Sequence, residues 1–219
     1  MAEGPGLFLS VEGIDGAGKS TQVASLAGAV GRAGHQLTLV REPGGTDLGE
    51  SVRDLVLHRR YEGGLDHWSE TLLMVAARAQ LLAEVVRPAL ARGDVVIADR
   101  FVDSTLAYQG GGRGLEIEAL RRLHRDTCGD LWPRLTILLS LPAGIAAERR
   151  QSSRLPLDRM EADGESGMLA RVADAYSVIA AADPDRIVPI DASRDPAAVA
   201  RDVWSAVAPR LLALPAVAR

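Results

Sequence analysis

The chain has 219 residues, of which 47% are hydrophobic and 25% are charged, so we expect one packed α/β domain over residues 1–219 rather than disorder. Its net charge of −4 and pI of about 5.6 argue against a nucleic-acid polymer as partner, because such proteins need a basic face. A single cysteine, Cys128, and the lack of a leader or membrane-length apolar run predict a cytoplasmic protein with no membrane partner.

Predicted strands and helices alternate along the chain. Short apolar runs predict strands at 7–11, 36–41, 94–98, 135–141 and 186–190. Helical patterns lie between them, at 19–33, near 52–56, at 68–90 with a bend near Pro88, at 115–127, from 142 onward, at 168–182 and at 197–212. The glycines at 110–112 and the aperiodic segment 151–167 predict loops, the second one mobile. This alternation predicts a parallel sheet covered by helices on both faces.

A glycine-rich segment between the first strand and the first helix fits the pattern GxxxxGK[ST] of a phosphate-binding loop (P-loop). Its glycines let successive backbone N–H groups turn toward a phosphate, and the helix N-terminus adds partial positive charge. We expect Lys19 to reach the β- and γ-phosphates of ATP, and Ser20 to bind Mg²⁺. The predicted ATP site consists of Gly13, Asp15, Gly16, Ala17, Gly18, Lys19, Ser20 and Thr21.

Lys19 is also the only lysine in the chain, since the other 24 basic residues are arginines. A lysine left at a random basic position would fall here about once in 25. We infer that position 19 needs a slim ammonium group that a planar guanidinium cannot replace.

A P-loop alone is compatible with a kinase, a GTPase, an ATPase motor or a binding module. The chain is little longer than the core that it needs, which leaves no room for a partner-driven output domain. Arginines at predicted strand ends and in the segment 151–167 would gather positive charge around a transferring phosphate. These features favour a small-molecule kinase.

Three further segments are expected to meet above the carboxyl ends of the strands, where open parallel sheets bind ligands. They are 41–46 with the nearby Arg53, 76–80 in the long helix, and 99–109 after the third strand. Arg100 is the strongest candidate among their arginines, because a charged pair that closes a buried strand needs partners.

These segments closely resemble the bacterial thymidylate kinase family over nearly the whole chain. The matching motifs are the P-loop, REPGGT at 41–46, AARAQ at 76–80, DRF at 99–101, AYQGGGRG at 107–114 and LDRME at 157–161. The resemblance implies a single-domain P-loop NTPase fold with a five-stranded parallel sheet and a mobile lid at about 149–167. It also implies a homodimer that uses Mg²⁺ and converts ATP and dTMP to ADP and dTDP, a step of dTTP synthesis.

The resemblance also assigns the acceptor site. Arg53, Arg78 and Arg100 resemble the residues that hold the acceptor phosphate. Thr105 and Gln109 would bind the thymine edge. The remaining acceptor-site positions are Glu42, which with Arg41 would shape the pocket; Tyr108, which would lie against the deoxyribose; and Met74, which stands where the family has a phenylalanine that stacks on thymine.

The catalytic set implied by the resemblance is Lys19, Arg100, Asp15, Arg154 and Arg159. Asp15 would lie near the acceptor and the metal. Arg154 and Arg159 of the lid are equal candidates for the cation that stabilises the transition state. Together with Ser20, Asp99 would complete the metal site, directly or through water.

Two alternatives stay open at this point. A kinase for another nucleoside monophosphate would differ in the segments 41–46 and 107–114. A switch module that hydrolyses ATP slowly would bind a protein partner and would use no phosphoryl acceptor. Acceleration of ADP release by dTMP distinguishes both from a thymidylate kinase.

Overall fold

The computed structural model describes residues 5–152 and 167–214. Within these ranges, five strands form one all-parallel sheet in the order β2-β3-β1-β4-β5. The strands are β1 (Leu7–Glu12), β2 (Leu37–Arg41), β3 (Val95–Asp99), β4 (Leu135–Ser140) and β5 (Ile187–Asp191). The predicted five-stranded parallel fold is confirmed.

Helices connect the strands, as the alternation of sequence patterns predicts. The α-helices are α1 (Lys19–Arg32), α2 (Asp47–Arg53), α3 (His67–Leu81), α4 (Arg87–Arg92), α5 (Val102–Thr105), α6 (Ile117–Cys128), α7 (Ala143–Ser152), α8 (Met168–Ala182) and α9 (Pro196–Leu212). Three π-helical segments continue α2, α3 and α5 without a break: Asp54–His58, Leu82–Val86 and Leu106–Gly112. None of the helices in the described ranges is long and apolar enough to cross a membrane.

Alternate residues of the buried strands pack on opposite faces of the sheet, as the two-residue repeat of a strand requires. Leu9 and Val11 belong to a core on one face that also contains Val30 of α1. Phe8 belongs to a separate core, where its ring meets that of Phe101 edge to face at 4.9 Å between centroids. The apolar sequence of β1 therefore reflects burial on both sides.

The prediction of a loop at the three consecutive glycines was wrong, because they end the π-helical segment Leu106–Gly112. A Cβ placed on Gly110 would lie 2.3 Å from Cδ1 of Ile117 in α6, and one on Gly111 would lie 2.2 Å from Cβ of Ala175 in α8. These glycines therefore serve close helix packing rather than a turn.

The carboxyl ends of three adjacent strands converge on one edge of the sheet. β1 leads into the P-loop, β2 into the segment 42–46, and β3 into Arg100. Asp99 pairs in register with Val11 on one side and with Arg41 on the other. This edge brings together the P-loop and two of the three further segments that the sequence analysis singled out, while the third, 76–80, lies in α3.

Candidate active site

A cavity of about 900 Å³ lies at the carboxyl edge of the sheet. The predicted site residues that line it are Asp15, Gly16, Gly18, Lys19, Ser20, Thr21, Glu42, Arg53, Met74, Asp99, Arg100, Tyr108 and Gln109. Four others, Gly13, Ala17, Arg78 and Thr105, are not part of this lining. The lid candidates Arg154 and Arg159 lie outside the described residues.

The P-loop takes the shape that its glycines permit. Gly16 and Gly18 have φ angles of 87° and 89°, in the left-handed region that favours glycine. A Cβ on Gly16 would also lie 2.6 Å from the carbonyl oxygen of Ala146 in α7. The loop leads directly into α1, and the first residues of this helix, Lys19, Ser20 and Thr21, line the cavity.

Lys19 is buried and folds back over the P-loop. Its Nζ donates to the carbonyl oxygens of Gly13 and Ile14 at 3.1 and 3.0 Å, and to Oδ1 of Asp15 at 3.2 Å. Burial lowers the pKa of this ammonium, and the positive charge of Arg100 lowers it further. A phosphate that reached the cavity would offer the ammonium an ionised acceptor in place of the two neutral carbonyl oxygens.

The two predicted metal ligands, Ser20 and Asp99, lie close together. Ser20 Oγ, at the start of α1, lies 3.4 Å from Oδ2 of Asp99, the last residue of β3. Within residues 5–152 and 167–214 there is no group of three or more His, Cys, Asp or Glu side chains that could enclose a metal ion. One hydroxyl and one carboxylate fit Mg²⁺, which in phosphate sites takes most of its ligands from phosphate and water.

Arg100 lies at the centre of the site. Its φ of 71° is the only positive value among the described non-glycine residues. The guanidinium donates through Nη2 to Asp15 Oδ1 at 2.6 Å and to Tyr108 Oη at 3.1 Å. Through Nη1 it donates to the Gly13 carbonyl and to Ser104 Oγ, both at 3.1 Å. These contacts fix both ends of the guanidinium between the P-loop and the segment after β3.

Asp15 is held as a carboxylate. Burial acts to raise its pKa, but the charges of Arg100 and Lys19 outweigh burial and bring the pKa well below the usual range. Its second oxygen accepts a hydrogen bond from Tyr108 Oη at 3.2 Å. Burial raises the pKa of that phenol, so Tyr108 stays protonated and can donate.

Arg78 and Glu42 form a buried ion pair, of which Glu42 lines the cavity and Arg78 does not. Arg78 Nε donates to both carboxylate oxygens of Glu42, at 3.1 and 2.8 Å, and Nη2 donates to Thr105 Oγ1 at 2.9 Å. Burial disfavours the charge on Arg78, but Glu42 more than offsets this, so its pKa is raised. Nη1 of Arg78 has no hydrogen-bond partner among the described residues. Direct contact of Arg78 or Thr105 with a substrate therefore stays a prediction.

Arg53 and Met74 also line the cavity. Arg53 Nη1 donates to the carbonyl of Pro43 at 2.8 Å. Met74 is 8% exposed and belongs to a small apolar cluster with Val56 and Leu57. It is therefore a core residue that also presents surface to the cavity.

Gln109 is oriented by a buried carboxylate that sequence reasoning missed. Its Nε2 donates to Oε1 of Glu70 at 3.0 Å, while Arg113 binds the other oxygen of Glu70 at 3.3 Å. Because a carboxylate only accepts, the amide of Gln109 has one possible orientation here.

Three more side chains were also missed: Ser104 and Tyr176, which accept hydrogen bonds from Arg100, and Glu12, which accepts one from Ser104. A charged residue that ends an apolar strand needs buried partners, and this signal could have singled out Glu12. Tyr176 comes from α8, and no spacing in the sequence points to it.

The predicted lid begins as the last residues of α7. Arg149 donates to the carbonyls of Ala192 and Ser193 at 2.9 and 3.2 Å, and together with Arg150 it lines the cavity. The rest of the lid up to residue 166 lies outside the described residues.

Comparison with known proteins agrees with this geometry. The sequence model of the thymidylate kinase family matches residues 11–203. The chain is 49% identical over 215 residues to a thymidylate kinase of Cereibacter sphaeroides, covering 96% of this chain and 98% of that protein. It is 46% identical over 200 residues to the thymidylate kinase of Thermomicrobium roseum, covering 91% and 93%, and 43% identical over 205 residues to that of Deinococcus radiodurans, covering 94% and 98%. The chain therefore belongs to the thymidylate kinase family.

Proposed function

We propose that the protein transfers the γ-phosphoryl group of ATP to dTMP, giving dTDP and ADP. The observation that carries the proposal is the contact between Arg100 and Asp15, which joins a P-loop to an arginine-lined pocket within one cavity. One end of this cavity suits a triphosphate, and the other end suits a second phosphate.

The acceptor pocket brings a phosphate toward the P-loop. Arg53 and Arg100 both line the cavity, and their guanidiniums suit bidentate contacts with a phosphate. The nucleophile is a phosphate oxygen that is already anionic at neutral pH, so no strong general base is needed. The site must instead offset the repulsion between two anions and hold them in line.

Lys19 and the P-loop amides would hold the donor phosphates. Ser20 and Asp99 would hold Mg²⁺, which supplies charge neutralisation on the β- and γ-phosphates. Asp15 would hold Lys19 and Arg100 close to each other before the substrates bind, because one of its oxygens accepts hydrogen bonds from both and its charge offsets their repulsion.

The nucleoside would lie between Met74 and the segment after β3. Gln109 and Tyr108 line this part of the cavity, Gln109 for the base edge and Tyr108 for the sugar. Arg78 would support the pocket by bonding both Glu42 and Thr105, and its Nη1, which has no partner among the described residues, would be its donor to an acceptor phosphate. Glu42 itself lines the cavity.

We infer that the lid supplies a further cation, from Arg154 or Arg159, during transfer. Because this charge acts on the transition state, alanine at the responsible position should lower kcat far more than dTMP affinity. An unchanged kcat in both single variants would contradict the lid assignment.

We also propose a homodimer. Trp68 and Leu72 lie one turn apart on α3 and are 41% and 52% exposed, and Leu48 of the adjacent α2 is 46% exposed. Apolar side chains grouped in this way support a protein interface. Sedimentation velocity should give twice the monomer mass of 23.2 kDa, and Leu72→Glu should give the monomer.

For localisation we propose the cytoplasm. The free, buried Cys128 suits a reducing compartment. Fractionation of the source cells with an antibody against the protein tests this, and recovery in the membrane or secreted fraction would contradict it.

The function is tested by ADP release from ATP·Mg²⁺ with dTMP, dUMP, UMP, CMP, AMP and GMP as separate acceptors. We expect strong preference for dTMP. Comparable rates with dUMP would still support a nucleoside monophosphate kinase. They would mean that Met74 does not supply selectivity for thymine over uracil. ADP release that no acceptor accelerates would contradict the proposed function.

A further inference from the structure

Glu12, the last residue of β1, is a completely buried carboxylate directly before the P-loop. Its side-chain hydrogen bonds go to Phe101, Ser104 and Tyr176, which are not residues of the predicted ATP site. Burial raises its pKa to about 7, and the negative charge of Asp103 adds to this. A carboxylate in such a place is costly unless each oxygen finds donors.

Both oxygens of Glu12 accept hydrogen bonds from the segment that surrounds Arg100. Oε1 accepts from the backbone N–H of Phe101 at 2.6 Å. Oε2 accepts from Ser104 Oγ at 2.6 Å and from Tyr176 Oη at 2.8 Å. One buried side chain therefore joins β1 to α5 and α8.

The same two hydroxyls also accept hydrogen bonds from Arg100. Its Nη1 lies 3.1 Å from Ser104 Oγ and 3.4 Å from Tyr176 Oη. In its contact with Glu12 each hydroxyl is the donor, which leaves its lone pairs for the guanidinium. The two hydroxyls also lie 2.9 Å from each other, where either oxygen can donate. The carboxylate thus sets the direction of both hydroxyls that receive Arg100.

The Phe101 contact acts on the backbone of Arg100. An arginine at a φ of 71° is in a region that non-glycine residues rarely occupy, and surrounding contacts must hold it there. The N–H that Glu12 accepts belongs to the peptide group that directly follows Arg100. Glu12 is therefore placed to hold this backbone as well as the side chain.

We propose that Glu12 is a positioning residue that sets the backbone and guanidinium of Arg100 for the acceptor phosphate. This inference rests on the proposed function, since it takes Arg100 to bind dTMP. Glu12 itself touches neither substrate in this assignment, so its effect must pass through Arg100.

Glu12→Gln is the most direct variant, because glutamine keeps the shape of the side chain but adds donors. If its oxygen faces Phe101, the amide donates to the hydroxyls and takes the lone pairs that Arg100 uses. If its oxygen faces the hydroxyls, the NH2 group of the amide faces the N–H of Phe101, and two donors cannot form a hydrogen bond with each other. In either orientation one of the two constraints on Arg100 is lost.

Steady-state kinetics at about pH 8, where Glu12 is mostly ionised, gives the readout. We expect Glu12→Gln to raise KM for dTMP about tenfold while KM for ATP changes less than about twofold. An equal rise in both KM values, or no rise for dTMP, would overturn the proposal. Wild-type turnover with dTMP tests the proposed function separately, because the inference about Glu12 concerns only the ratio of variant to wild type.

A double-mutant cycle with Arg100→Lys tests whether the effect passes through Arg100. In the Arg100→Lys background, Glu12→Gln should change KM for dTMP by less than about twofold. Multiplicative effects of the two substitutions would contradict the positioning role.

Ser10→Ala is a matched control. Ser10 lies two residues earlier on the same face of β1, and its buried hydroxyl bonds to Thr136 Oγ1 at 2.8 Å rather than to Arg100. This variant should keep both KM values. If Glu12→Gln does not fold, Tyr176→Phe removes one of the two hydroxyls and should raise KM for dTMP about threefold; wild-type kinetics in that variant would overturn the proposal.

Discussion

The Nη2 atom of Arg100 lies 2.6 Å from Oδ1 of Asp15, so the residue that follows β3 is joined to the middle of the P-loop. Asp15 accepts a second hydrogen bond from Lys19 at 3.2 Å through the same oxygen. One carboxylate thus holds a cation of the proposed donor site and a cation of the proposed acceptor site. The two substrates would meet at this point.

Asp15→Asn should lower kcat by at least about tenfold with dTMP and ATP. The amide cannot balance two nearby cations, so both Lys19 and Arg100 should move from their present positions. The measurement is the coupled ADP-release assay at saturating ATP. Asp47→Asn, at an exposed acidic residue in the first turn of α2, is the control and should match the wild type.

Lys19→Arg should lower kcat by about a hundredfold or more, although charge is conserved. Nζ is enclosed by two P-loop carbonyls and Asp15, and a guanidinium is too wide for that place. The reverse exchange at an exposed site on the same helix, Arg32→Lys, should have no effect. Activity within a few-fold of wild type for Lys19→Arg would refute the special role of this ammonium.

Met74→Ala should raise KM for dTMP about tenfold, because it removes apolar surface from the cavity wall. Met74→Phe should lower that KM, since a ring offers a larger flat face to a base. Val56→Ala, in the same apolar cluster but away from the cavity lining, should lower the thermal midpoint and leave KM unchanged. If Val56→Ala and Met74→Ala shift KM equally, Met74 acts through packing alone.

Arg78→Ala should lower the free energy of unfolding by about 3–5 kcal/mol, because Glu42 would remain buried without its cation. Urea denaturation followed by fluorescence measures the change. At the exposed ion pair between Arg122 and Glu116, Arg122→Ala should cost less than about 1 kcal/mol. A small effect of Arg78→Ala would mean that water reaches Glu42.

His124 should make the protein less stable in mild acid. Burial, followed by the charge of Arg78, lowers the pKa of His124 from 6.5 to about 4. The unfolded chain therefore binds a proton on this residue before the folded chain does, and stability falls as pH decreases from 6.5 toward 4.

At pH 5 the loss attributable to His124 should be about 2 kcal/mol relative to pH 8. The measurement is the free energy of unfolding at both pH values for the wild type and for His124→Gln. Between pH 8 and pH 5 the variant should lose about 2 kcal/mol less unfolding free energy than the wild type, because glutamine does not titrate. Equal losses in both proteins would show that His124 titrates normally.

Much of the fold could be predicted from the sequence because strand and helix periods are local properties. The five strands lie where the apolar runs predict them, and the P-loop has the expected strand before it and helix after it. The glycines after Gln109 are the counterexample. A run of glycines is typical both of a turn and of close helix packing. The short distances to Ile117 and Ala175, which only the structure gives, identify packing as the reason here.

The single-domain organisation, the individual site roles and the dimer stay predictions. The lid arginines Arg154 and Arg159 do so as well, since they lie outside the described residues. For Arg78 the sequence motif identifies the residue but not its partner. Only the structure shows that the guanidinium binds Glu42.

The sequence by itself determined the position of the P-loop between β1 and α1, and the family. These depend on residue spacing within short segments, where glycine conformation and side-chain chemistry act locally. Only the tertiary structure decided how Arg100 is held. Its partners Ser104 and Tyr176 come from α5 and α8, while Asp15 and Glu12, the carboxylate that accepts from both hydroxyls, lie on the stretch that joins β1 to the P-loop. They meet because α5 and α8 pack against the carboxyl end of β1, and no local pattern encodes such a meeting.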